Sequence, residues 1–416
     1  MVEISRIKKV FFSIICVFYT LLPGFSREFQ DFYGDTAKFF DFIQDPNTGL
    51  TVFPLLTIPA GGEYEGMGTA YTAIARDSSF FDANPAASSV LEYTELGFLH
   101  NNWIADTNIE SIVFTRRSDN AGYAFAAKFL YVPFTGYNLW GERTSTGYYS
   151  ETMTVLNYSR NFFSSYDFYG VAIGANVKMA LRHISASIAS GQSAIGVMVD
   201  VGALTRFNFL KFYPSRSKNA SIGITAKNFG PYVLGEPLPT SFTLGVAYWP
   251  LRPWAVAFDI TFPYSFDPNQ YPAEQISYAW GTSVAVTNFF SVQSGFLLKG
   301  GNPRVSLGSI VQVDTLSFVA NYTLDMTTQF TNLDRFSLQI KINLGDEGRR
   351  AKAQKVEELY LSAIEAFAKG DFQQALAFCD QALSLDPTFT PARDTLQTIE
   401  RSLQLQKEIE SRQRIE

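Results

Sequence analysis

The chain has 416 residues with a formal net charge of -6 and a pI near 5.2, which argues against nucleic-acid binding, since that needs a basic face. Charged residues make up 17%, below the roughly 25% of ordinary soluble domains, while aromatics reach 15% with 38 Phe and 21 Tyr. Beyond the N-terminus no run of about 18 apolar residues occurs, so no membrane-spanning helix is expected in the mature chain.

The chain opens on an export signal. Arg6, Lys8 and Lys9 precede the apolar run VFFSIICVFYTLL at residues 10–22, and Gly24-Phe25-Ser26 offers small residues for a cut after Ser26, giving a leader at 1–26. The run is too short to span a bilayer as a retained anchor. Cys16 leaves with the leader, and the remaining Cys379 can form neither an internal disulfide nor a cysteine metal cluster.

Residues 27–48 form an aromatic, acidic extension without a clear period, and residues 49–90 are rich in Gly and other small residues. From 91 to 345 the dominant feature is alternation. In RFSLQIKINL at residues 335–344, Phe336, Leu338, Ile340, Ile342 and Leu344 share one parity against Ser337, Gln339, Lys341 and Asn343. Trp254, Val256, Phe258, Ile260 and Phe262 likewise oppose Ala255, Ala257, Asp259 and Thr261. Period two is the mark of a strand with two unlike faces.

Fourteen such strands are predicted, at 91–103, 108–117, 121–132, 151–160, 167–180, 194–203, 218–228, 240–249, 253–262, 276–286, 289–299, 303–312, 315–324 and 333–344. Most are longer than the roughly 5–6 residues of a soluble strand and match the ~9–11 of a tilted membrane strand. Length, alternation and an even count together predict an all-β transmembrane barrel of about 14 antiparallel strands, its bulky face toward lipid and its polar face inward. A soluble β-sandwich would overfill one core with Trp, Tyr and Phe and starve the other. Lys128, Lys178, Lys227, Lys299 and Lys341 all fall on the small or polar parity, which is where a charge costly in lipid must point.

A barrel of this size, walled inside by Gly, Ala, Ser and Thr, is too wide for its own side chains to fill. The candidate plug is the segment before the first strand. Its run GMGTAYTAIARDSSFFDANPA, through Gly66, Met67, Gly68, Ala70, Ala73, Asp77 and above all Asn84-Pro85-Ala86, resembles the N-terminal segment of the FadL-like outer-membrane barrels. The likeness is greatest to the branch that includes the PorV-type component of type IX secretion and an uncharacterised spirochaetal family. The resemblance implies a fourteen-strand barrel closed by an N-terminal hatch at 49–90, with Asn84, Pro85 and Ala86 as the hatch motif. It implies a hydrophobic ligand, long-chain fatty acid in the transporters, that leaves sideways at a kinked third strand once the hatch shifts. The third strand here is 121–132, with Gly122 at its start, Pro133 just past its end and no decisive kink residue between.

Each residue also has a local reading. Asn84-Pro85 favours a turn by its own chemistry. Phe80 and Phe81 either pack the plug or line a ligand. Lys128 and Lys178 either hold a ligand carboxylate or meet water or a protein partner.

Enzymatic motifs are not found. GGEYEGMG lacks the GxGxxG spacing and a following Lys-Ser/Thr. His100 and His183 could serve a Ser-His hydrolase, but no motif surrounds them; no HExxH, calcium loop or Cys/His pattern occurs, and neither a cofactor nor a metal is expected.

From 349 to 416 the composition changes, with 21 of 68 residues charged. Leu359, Ala363 and Ala366, then Ala375, Leu376, Cys379, Ala382 and Leu383, recur at helical spacing about Lys369-Gly370-Asp371-Phe372. This stretch resembles a tetratricopeptide repeat, with Ala363, Ala375, Ala382 and a closing Pro387 in order and Cys379 where an aromatic is more usual; a further helix runs from Pro391 to about Arg412. A plug entering from the periplasm would put both barrel ends and these helices on that side. The sequence therefore reads as an outer-membrane channel for hydrophobic small molecules, in contact with outer-membrane lipid. The alternative is a PorV-like secretion or assembly scaffold recruiting a periplasmic protein through its helices.

Overall fold

The computed structural model describes residues 44–103, 107–186, 189–326 and 334–413; the expected leader and most of the 27–48 extension lie outside the described residues. Fourteen antiparallel strands close into a barrel. They are β1 (Glu95–Asn102), β2 (Asn108–Ser118), β3 (Ala121–Tyr137), β4 (Arg143–Phe162), β5 (Val171–Ile184), β6 (Ala194–Phe207) and β7 (Ala220–Phe229), then β8 (Ser241–Leu251), β9 (Trp254–Pro263), β10 (Ser277–Ala285), β11 (Phe290–Lys299), β12 (Asn302–Val313), β13 (Leu316–Asp325) and β14 (Arg335–Asn343). Each strand pairs with its neighbours in sequence, and β1 pairs with β14 in the register Leu96↔Ile342 and Phe98↔Ile340. Closure leaves the sheet without an edge.

The alternation translates directly into two surfaces. On β14, Ser337, Gln339 and Lys341 are buried inside while Phe336 is 47% exposed outside. Phe98, Phe125, Tyr158, Trp280 and Tyr322 continue the outward apolar face around the barrel.

Strand ends differ from expectation on one side. β3 continues through Pro133 to Tyr137, and β4 starts at Arg143 rather than 151. Here neither face of the hairpin is buried, so the inside-outside contrast that produces alternation fades. Pro133 is tolerated because β2 starts at Asn108, opposite Tyr131, which leaves one edge of β3 unpaired beyond that point. Residues 91–94 are not strand, and β5 begins at Val171 rather than 167.

Inside lies the segment before β1. It forms short 3-10 turns at Pro54–Leu56, Ser78–Asp82 and Pro85–Val90 and one turn of α-helix, α1 (Gly62–Gly66). The plug passes right through the lumen. Asp45 N–H donates to the Gly300 carbonyl (3.1 Å) and Val52 N–H to the Pro237 carbonyl (3.0 Å), both in turns at the far mouth. Its other end exchanges hydrogen bonds at the near mouth, Thr94 N–H with the Gly345 carbonyl and Leu344 N–H with the Thr94 carbonyl, each 2.8 Å. The two barrel ends do share one mouth, but the plug starts at the opposite one, which corrects the expectation that it enters beside them.

After Gly348, in the left-handed region (φ 78°), the chain forms α2 (Arg349–Ala368), α3 (Phe372–Leu385) and α4 (Thr390–Gln413). The small residues Ala363, Ala366, Ala375 and Cys379 bury against Ile399, and Ala382 against Val356, Phe389 and Ala392. The Asp371 side chain caps α3 by accepting from the Gln374 N–H at 3.1 Å. The helices sit on the near mouth: Phe389 meets Tyr166 edge-on at 5.1 Å and Arg216 pairs with Glu357 at 2.8 Å. Arg349 donates to the carbonyls of Arg117 and Glu92, both at 2.7 Å.

Candidate functional site: the plugged lumen

The lumen is filled by backbone lying on glycine. At Gly122 an added Cβ would collide with the Ser88–Ser89 peptide, and at Gly174 with the Pro85 carbonyl. Wall alanines complete the seat: Ala124, Ala247, Ala255, Ala257 and Ala279 pack on Met67, Tyr71, Ile74 and Phe80 of the plug. The small parity of the sequence is thus the imprint of a second chain segment.

Polar side chains fix the plug in place. Lys341 donates to Glu63 (3.0 Å) and Asp77 (2.9 Å), and Arg76 reaches Glu63 at 2.7 Å. Burial opposes ionisation of Glu63, but the Arg76 and Lys341 charges outweigh it and hold the carboxyl at about 2, against an ordinary 4.5. Tyr71 donates to Asp77 at 2.9 Å, and burial, with the Asp77 and Glu63 charges, pushes its phenol well up. Glu95 accepts from the Ser78 N–H at 2.8 Å, and Asp259 accepts through Oδ2 from the N–H groups of Tyr71 (3.1 Å) and Thr72 (2.9 Å).

The Asn84-Pro85-Ala86 motif lies deep in this lattice. Asn84 Oδ1 caps the following turn by accepting from Ala86 N–H (3.0 Å), while Nδ2 donates to the carbonyls of Thr72 (2.9 Å) and Ala203 (3.1 Å). One side chain therefore joins the turn, the rest of the plug and the wall. The Pro85 carbonyl accepts from Asn157 at 2.9 Å, and Ala86 packs on Ala172 and Leu204.

Phe80 and Phe81 are both buried, Phe80 in the plug core and Phe81 against Leu99, Ile109 and Leu130 of the wall. Lys128 donates to Asp82 (3.1 Å) and to the Ile58 carbonyl, and Lys178 pairs with Asp200 (2.6 Å) and Asn228 (3.1 Å). Both lysines thus bind protein carboxylates. His100 faces outward and meets Glu110 at 2.7 Å, and His183 stacks near Tyr148 at 5.2 Å, so the two histidines have separate partners. β3 is hydrogen-bonded to both neighbours along 121–131, and its one irregularity is at Gly136/Tyr137. Among the described residues no cluster of His, Cys, Asp or Glu could hold a metal ion.

The sequence reading placed Asp259 on the inward parity and Asp77 in the plug motif but gave no carboxylate a partner. Glu95, Glu151 and Asp200 occupy the same inward parity as Asp259 and the lysines and could have been found by the same count. Glu63 and Asp77 on the plug carried no such signal.

Space remains at the far mouth. A cavity of about 140 Å³ is lined by Tyr64, Lys178, Lys227, Leu238, Tyr271 and Leu297. Beneath it a chamber of about 30 Å³ shares Tyr64, Lys227, Ser277 and Leu297 and reaches Thr243 and Asp259.

The family model described as "Uncharacterised protein family (UPF0164)" matches residues 36–347. The chain belongs to this family. A UPF0164 protein of Treponema pallidum (strain Nichols) is 28% identical over 376 residues, covering 87% of this chain and 85% of the relative. A second from the same organism is 25% identical over 391 residues, covering 85% and 76%. Among solved structures, the chain is similar to the Pseudomonas putida toluene transporter TodX, with a TM-score of 0.46 and 13% identity over 67% of this chain and 95% of that one. It is also similar to the CymD monoaromatic hydrocarbon channel, with a TM-score of 0.45 and 11% identity over 68% and 97%.

Proposed function

We propose that this UPF0164 protein is an outer-membrane channel that admits hydrophobic small molecules, long-chain fatty acids first among them, at the far mouth and passes them when the plug shifts. The observation that carries this reading is the girdle of exposed aromatic and aliphatic side chains on the outward parity, from Phe98 on β1 to Phe336 on β14. A surface of that extent in water is an aggregation liability, whereas in hydrocarbon it is the low-energy arrangement. The strands cross the bilayer and the near mouth, with the helices, faces the periplasm.

A plug held by polar bonds on small residues supports gating better than a greasy core would, because water can replace those hydrogen bonds as the plug moves. Lys128 and Lys178 are the cations that a fatty carboxylate would compete for, and Phe80 and Phe81 would line its path once the plug moves. The test is saturable binding of a long-chain fatty acid by the purified protein in detergent, weakened at least fivefold by Asn84→Ala or Phe80→Ala. An absence of saturable binding, with the barrel folded, overturns the transport reading.

A scaffold is the second reading. It is favoured by Leu361, Ile364, Leu405 and Ile409, apolar residues left exposed on the near-mouth helices. The burial of Ala363, Ala375 and Ala382 between helices supports the tetratricopeptide likeness. Stable copurification of one protein partner, lost when residues 349–416 are deleted, would favour the scaffold over the channel.

A further inference from the structure

We propose that the far-mouth chamber is a binding site for the head of a zwitterionic amphiphile, one carrying a primary ammonium and a carboxylate on a short apolar chain. This rests on the channel reading and names the class of molecule admitted there. Three groups in the chamber carry the inference, and each has capacity that the protein does not use.

Lys227 donates to the Asp82 carbonyl at 3.0 Å, yet among the described residues no carboxylate lies within the 4.0 Å of an ion pair. This sets it apart from Lys128, Lys178, Lys299 and Lys341, each of which has one. Asp259 is 2% exposed and spends only Oδ2 on the plug; its Oδ1 has no hydrogen-bond partner. Ser277 is 5% exposed, lines both cavities, and its hydroxyl is likewise unpartnered. Buried polar groups are normally satisfied, so two unsatisfied ones beside a lysine that has no carboxylate partner, all lining one 30 Å³ space, mark a place built for something else to bind.

The chemistry of the missing partner follows. Asp259 Oδ1 accepts only, so it takes an N–H or O–H donor, and a charged donor is the strong case. Lys227 only donates, so it takes an anion. Although they share the chamber, the two do not pair with each other, so one ligand head can place an ammonium at Asp259 and a carboxylate at Lys227. The chamber has room for about two water-sized groups, at roughly 10–15 Å³ each. Above it Leu238, Leu297, Tyr271 and Pro272 offer apolar surface for a chain. A plain fatty acid would leave Asp259 without its donor.

The test compares 2-aminooctanoate, octanoate and octylamine, three probes of equal chain length, by titration calorimetry on the full-length protein in detergent. The expected result is binding of 2-aminooctanoate at least about tenfold tighter than either other probe, the scale of one hydrogen bond to a charged group. Lys227→Met should remove the advantage over octylamine, and Asp259→Asn the advantage over octanoate. Because Asp259 also holds the plug, Ser277→Ala serves as a second variant, expected to weaken 2-aminooctanoate several-fold with unchanged heat-modifiable migration. Octanoate binding as tightly as 2-aminooctanoate, or no binding of any probe beside saturable binding of a long-chain fatty acid, overturns the zwitterion site and leaves the channel standing. No binding of any amphiphile overturns both.

Discussion

Lys341 of the last strand and Glu63 of the plug meet at 3.0 Å across 278 positions of chain. The same ammonium holds Asp77 at 2.9 Å, so one wall residue bridges two plug carboxylates, all three buried, and Arg76 supplies the second cation at Glu63. Removing Lys341 takes away the ion pair that holds buried Asp77, and a buried charge left without its partner costs about 3–5 kcal/mol. Lys341→Met should therefore leave the barrel closed and release the plug. Amide exchange at residues 62–80 should speed up by at least about a hundredfold while exchange in β5 and β6 is unchanged, given that local opening is set by local free energy.

Acid should act on the same cluster. The Glu63 carboxyl is held at about 2 by Arg76 and Lys341 against burial, so its folded value lies below the ordinary 4.5. A depressed carboxylate contributes stability that is fully present above about pH 4.5 and is lost as pH falls toward 2. The thermal midpoint followed by near-ultraviolet circular dichroism should fall between pH 4.5 and 2. In Glu63→Gln the midpoint should already be low at neutral pH, and its difference from the wild type should shrink across that window. A constant difference down to pH 2 would remove Glu63 from the lock.

Asn84 separates capping from anchoring. Asn84→Ala removes three hydrogen bonds, at about 0.5–1.5 kcal/mol each. Asn84→Asp keeps the cap to Ala86 N–H but turns a carboxylate oxygen on the Thr72 and Ala203 carbonyls, so it should be no less damaging than alanine. If aspartate restored wild-type thermal stability, the bonds to those carbonyls would carry nothing.

The fold was legible because membrane and lumen impose opposite chemistry on alternate residues. Where that contrast lapses, as at residues 143–150 of β4, alternation lapses too and eight strand residues were missed. The plug's path was not legible at all: residues 49–94 have no period, since their conformation is set by distant partners such as Asn321 on Gly62 and Asp259 on Tyr71. Asn84-Pro85 could be read as a turn from its own chemistry, but not its bond to Ala203. The inward lysines could be read from parity, whereas their carboxylate partners depend on pairings that no local pattern records.

Glycine on the inward parity should be intolerant for a reason unrelated to the strand. At Gly174 a methyl group would occupy the place of the Pro85 carbonyl, and backbone cannot swing aside as a side chain would. Overpacking of this kind costs about 1–3 kcal/mol, and it falls on the plug. Gly174→Ala should expose the plug to exchange without altering strand content. Ala175→Val, on the outward face of the same strand, should do neither.

Threading of the plug through the lumen makes the two mouths distinguishable on cells. Leu50, 53% exposed, lies beside the far-mouth loop that holds Gly49 through Glu274, and Leu361, 62% exposed, lies on α2 at the near mouth. Cys379 is buried and should stay silent toward a membrane-impermeant maleimide. With the helices in the periplasm, intact cells should label Leu50→Cys and spare Leu361→Cys, and permeabilised cells should label both. The reverse pattern would turn the barrel over in the membrane and put the helices outside. Labelling of both in intact cells would mean that the strands do not divide the chain between two compartments, and the membrane reading would fall with it.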